Sequence, residues 1–229
     1  MSKREPFGHG SALTLEATNL GWLGSDDRAD WDQCAHGIVT CAIGTIAVTS
    51  RNCNVTAASL FLLRTLEFDH TPSESVAPSN QLLPCCGHSP WVAVDGRFPT
   101  INMGCDNGDD LWVRHVSGAV VLAWGELHEQ VPSSEWREAV VSFADLVRAF
   151  YDASPPRRRA RASDADTMEN DGWDAFWSEW GERYTRTRPG SVACRPAFIE
   201  DSGVSDSSAR RLWKACLQAV RPTRSTSSR

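Results

Sequence analysis

Five aromatic side chains on one helical stripe constrain this chain more than any other feature. Trp173, Phe176, Trp177, Trp180 and Tyr184 stand at i, i+3, i+4, i+7 and i+11, the spacing that lines one face of an α-helix. An exposed, solitary helix does not tolerate that much aromatic area, so the stripe needs a surface to cover it. Two surfaces would serve. The favoured one is the chain's own sheet domain, which makes the stripe core. The other is a second protein, with Trp173, Trp177 and Trp180 as interface anchors.

The chain ahead of the stripe supplies a domain large enough to receive it. With 229 residues, 41 % hydrophobic and 23 % charged, it suits one substantial domain with a real core. Ala12–Ala17 alternates weakly and reads as a first strand. Ile38–Ile43 and Ile46–Thr49 are β-branched runs joined by Gly44-Thr45, and Leu111–Val116 and Ala119–Trp124 flank Ser117-Gly118. Both pairs read as hairpins. Between them, Thr56 caps an expected helix over Ala57–Phe68 that is apolar nearly all round and therefore central. Pro132-Ser133-Ser134-Glu135 starts a second helix, whose Trp136, Ala139, Val140, Phe143, Val147, Phe150 and Tyr151 share one face, and Ser154-Pro155-Pro156 ends it.

These elements predict an α+β fold: antiparallel β-hairpins forming a sheet with helices packed on one face, plus a small C-terminal helical segment. Long βαβ units with a Gly-rich phosphate turn are missing, which argues against a dinucleotide fold. The expected boundaries are a flexible tail over 1–11, the α+β domain over 12–156 and a charged, solvated linker over 157–170. A Trp-rich helical segment packing on the main domain follows over 171–220, with a second apolar repeat at Ala209–Val220, and then a disordered tail over 221–229.

The net charge of −6 argues against nucleic acid as the main partner. Basic residues are 21 Arg and 2 Lys, which reads as codon bias from a GC-rich genome. Arg157–Arg159 and Arg161 lack interleaved aromatics and run into acidic residues, so they read as solvated linker. No apolar run follows the first ten residues, and the stretch Val55–Leu66 is too short to span a bilayer. The expectation is a cytoplasmic protein with no membrane contact and all eight cysteines reduced.

Chemistry has one main candidate in the sequence. Cys85, Cys86 and His88, with Cys105, offer thiolate and imidazole ligands from two short loops, the donor set and spacing that zinc prefers. Cys34, His36 and His115 are spare ligands, Cys34-Ala-His36 being another close pair. The competing reading is that these cysteines are small buried hydrophobes, so no cofactor is expected, with zinc as the alternative. Cys85 or Cys86 activated by His88 or His115, with Asp95, Asp106 or Asp109 as orienter, would make a cysteine nucleophile, but no family signature surrounds it. G-x-S-x-G, P-loop and EF-hand patterns are absent from the sequence.

The resulting expectation is a non-catalytic, intracellular protein-binding module. By size, acidity and α+β pattern it resembles the compact immunity- or inhibitor-type proteins that neutralise a toxin partner, here a basic one. A zinc-binding or cysteine-dependent enzyme built on Cys85, Cys86, His88 and Cys105 is the alternative.

Overall fold

The apolar run expected to be central is helix α1, Val55–Arg64, and all ten of its residues are buried. It starts earlier than Thr56 would place it because Asn54 is the cap: Asn54 Oδ1 accepts from Ala57 N at 3.0 Å. Thr56 is engaged elsewhere. Its hydroxyl accepts from Ala35 N at 2.8 Å and shares a 2.8 Å hydrogen bond with Tyr151 Oη. The computed structural model describes residues 12–23, 31–72, 81–85, 89–94, 96–103, 107–159, 164–188 and 198–200. The helix expected at Ala209–Val220 and both tails lie outside them.

Around α1 the chain builds an α+β fold, as its sequence predicts. Strands β1 (Thr14–Gly21), β2 (His36–Ile43) and β3 (Ile46–Asn54) form one antiparallel sheet in that order. Strands β4 (Ser89–Val92) and β5 (Thr100–Met103) pair antiparallel, and β6 (Trp112–Val116), β7 (Ala119–Trp124) and β8 (Leu127–Pro132) form another antiparallel sheet. Both expected hairpins are present, as β2–β3 and β6–β7. Their turns hold Gly44 and Gly118 at φ of +53° and +72°, conformations that favour glycine. Strand β8 carries no apolar alternation, with Val131 its one buried residue, which is why the sequence does not announce it. It is tied to the first sheet by Glu129, which accepts from Thr45 N at 2.7 Å and from Thr45 Oγ1 at 2.8 Å.

Helices α2 (Ser133–Ala153) and α3 (Asp164–Thr187) pack on α1, and α2 also covers β1 while α3 covers β4. The α3–β4 contact is close enough that a Cβ on Gly172 would lie 1.8 Å from Pro90 O. The aromatic stripe of α3 belongs to the core: Trp173, Trp177 and Trp180 are 3 %, 4 % and 1 % exposed. Trp180 Nε1 donates to Ser59 Oγ of α1 at 2.8 Å, and Trp136 Nε1 of α2 donates to Thr65 Oγ1 at 3.1 Å. The same chain thus covers these three tryptophans of α3.

The expected linker over 157–170 is corrected as well. Arg157–Arg159 form strand β9, paired in parallel with β10 (Phe198–Glu200), and α3 begins at Asp164. Arg157 and Arg159 are buried while Arg158 is exposed, a strand's alternation written in arginine. The burial is sustained because the aliphatic stems pack and the guanidinium groups find partners. Arg159 pairs with Asp174, and Arg157 Nε donates to Asp32 O at 2.8 Å. Among the described residues no helix is long and apolar enough to cross a membrane.

Candidate metal centre

Asp32, Cys34 and His36 stand two residues apart in the run that enters β2, which bends at Cys34 before the strand begins at His36. Their ligand atoms, a carboxylate oxygen, the thiol sulfur and an imidazole nitrogen, all lie within 4.8 Å of one another. His36 Nε2 is 3.6 Å from Asp32 Oδ2.

The backbone of this run is fixed from three directions. Tyr151 of α2 donates to Gln33 O at 2.6 Å, and Arg157 of β9 holds Asp32 O. Ala35 donates to Thr56 Oγ1, and its carbonyl accepts from Val55 N at 2.9 Å. The Asp32 carboxylate is oriented by Leu23 N at 2.5 Å and Cys34 N at 3.0 Å. A site held on this many anchors keeps its geometry before any ligand arrives.

The electrostatics favour a protonated thiol in the metal-free protein. Burial, and then the charge of Asp32, push Cys34 far above the ordinary cysteine range, and a hydrogen bond with the Asn54 side chain offsets only part of this. Burial likewise pushes Cys41 up to about 12, raises Cys53, and keeps the Tyr151 phenol neutral. None of these thiols has the lowered pKa of an activated nucleophile. The centre also holds unsatisfied groups. His36 is 9 % exposed and its Nδ1 is buried with no hydrogen-bond partner, as is Gln33 Oε1. Buried polar atoms in that state cost stability, and a ligand is one way of recovering it.

Of the three, His36 lines an open surface pocket of about 360 Å³, together with Trp22, Gly37, Ile38 and Arg51 among others. Both neighbours of β2 are bulged here. The β1–β2 register jumps between Thr18 and Gly21, and the β2–β3 register between Gly37 and Val39. Gly37 admits the close approach, since a Cβ there would lie 2.8 Å from Thr18 O.

The ligands favoured by the sequence are not brought together in this way. Cys85 is buried and disulfide-bonded, so its sulfur is not a thiolate, and the expectation that all eight cysteines are reduced is corrected. Cys34, Cys41 and Cys53 are thiols, not disulfide-bonded, and Cys86, His88 and Cys105 lie outside the described residues. His115 sits apart, paired with Asp69 at 2.8 Å. The sequence signals the Cys34–His36 pair but not Asp32, which the bend at Cys34 brings within reach of both. No protein-family model, curated protein or solved structure matches the chain.

Proposed function

We propose that the protein binds a zinc ion through Asp32, Cys34 and His36. The observation that carries this reading is the convergence of a thiol sulfur, an imidazole nitrogen and a carboxylate oxygen within 4.8 Å of one another. Zinc takes this donor set at about 2.0–2.3 Å per ligand, which draws the three atoms somewhat closer together. The ion supplies the charge that displaces the thiol proton and leaves a position for an exchangeable ligand.

Cobalt(II) titration of the purified protein tests this. The expected result is one equivalent of cobalt with a thiolate charge-transfer band, lost in Cys34→Ser and strongly weakened in His36→Ala. A wild-type protein without the band, or a Cys34→Ser protein that keeps it, overturns the reading.

A second reading retains protein recognition but moves it from the tryptophans to the β4–β5 hairpin. Val92 and Val94 are 51 % and 95 % exposed there, an apolar edge that suits a second copy of the chain. Concentration-dependent sedimentation that Val94→Asp abolishes supports it; a wild type that remains monomeric at every concentration removes it.

A further inference from the structure

The metal centre has a neighbour outside its ligand set. Asn54 ends β3 directly across from His36 in the β2–β3 register, and it is 0 % exposed. Its side-chain amide is held in one orientation. Oδ1 accepts from Ala57 N at 3.0 Å to cap α1, while the backbone N of the same residue donates to Pro84 O at 2.8 Å. With the oxygen committed to the helix, the amide turns its NH2 group, a donor only, to the other side. That side is Cys34, with which the Asn54 side chain interacts by hydrogen bonding. A thiol sulfur is a weak acceptor, so Asn54 Nδ2 stays short of a well-formed hydrogen bond in the metal-free protein. A thiolate is a far better one.

The chain beside Cys34 also lies against the start of α1. Ala35 O accepts from Val55 N at 2.9 Å, and Ala35 N donates to Thr56 Oγ1 at 2.8 Å. The sulfur therefore belongs to a residue at the positive end of a ten-residue helix, where negative charge is favoured.

We infer that Asn54 is a positioning residue of the metal centre, its amide N–H completing a hydrogen bond to the Cys34 sulfur when that sulfur binds the ion as thiolate. The inference rests on the zinc reading above. The thiol proton leaves to solvent as the ion binds, and the buried donor then gains the acceptor it lacks. Outer partners of this kind fix a metal ligand in place and tune its electron donation. Here a single side chain serves two elements, since the amide that caps α1 also orients the ligand.

Asn54→Ser and Asn54→Asp test this on the full chain, with cobalt(II) alone as the probe. Both replacements still cap α1, and neither carries an amide N–H; the aspartate change also preserves the size of the side chain. Cobalt is expected to bind about 10- to 100-fold more weakly to Asn54→Ser. In both variants the thiolate charge-transfer band is expected to move to lower energy, because a thiolate that loses a hydrogen bond gives up its electrons more readily. A purely structural role in the cap would leave that band where it is. A band at the wild-type energy in both variants overturns the inference alone, whatever the affinity. Absence of the band in wild type overturns this inference and the metal reading together.

Discussion

Glu179 shows how much one buried charge can hold. Arg64 grips it with two hydrogen bonds, Nε to Oε1 at 2.9 Å and Nη2 to Oε2 at 2.7 Å, and Arg183 Nε adds a third at 2.8 Å. All three residues are buried. Glu179→Gln leaves the Arg64 guanidinium without its anion, while Arg183 keeps Glu67, and is expected to cost about 3–5 kcal/mol in urea unfolding. Burial alone would raise this carboxyl; the hydrogen bonds and charge of Arg64, then of Arg183, prevail and hold it below its ordinary value of 4.5. A depressed carboxyl stabilises the fold above the unfolded value and loses that contribution as pH falls through the folded one. Stability should therefore fall below pH 4.5, and more steeply in wild type than in Glu179→Gln; parallel pH profiles would refute it. None of this is legible in the sequence, where Arg64 and Glu179 lie far apart and each looks like an ordinary surface charge. The candidate centre was half legible for a related reason. Cys34 and His36 announce themselves by type, whereas Asp32 stands in an acidic, turn-rich stretch where one more aspartate carries no signal.

At the scale of elements, periodicity carried what could be read. The helix faces of α2 and α3 and the two glycine-turn hairpins follow from spacings of three, four and two, because each buries a single side. The same logic fails for β9, whose buried face is arginine, and for β8, whose partner interactions are polar. It also leaves two surfaces open for the α3 stripe, since spacing alone does not say which surface covers an apolar face. Trp177 tests the covering directly. Its ring meets Tyr151 at 4.8 Å, Phe176 at 5.2 Å and Trp180 at 5.7 Å, so Trp177→Ala is expected to cost about 3–5 kcal/mol and to lower Tm by several degrees. An unchanged Tm would mean that the stripe is not core.

At the scale of the molecule, α1 joins the parts. It packs on α2, α3, β2 and β3, and the hydrophobic core runs without a break from Ala17 of β1 to Tyr184 of α3. Tryptophan fluorescence and far-UV circular dichroism should therefore unfold with one common midpoint in urea; separated midpoints would show that the core does not unfold as one unit. Having no side turned to water also governs how such a chain can diverge. An amphipathic helix changes freely along its wet face, but Val55–Arg64 has none, so a scan of single substitutions should find ten successive intolerant positions. Lasting change there needs a matched change in a neighbour: Ser59 with Trp180, Thr56 with Tyr151, Arg64 with Glu179. Distant kin of this chain would share those pairings across elements long after their surfaces had ceased to resemble one another.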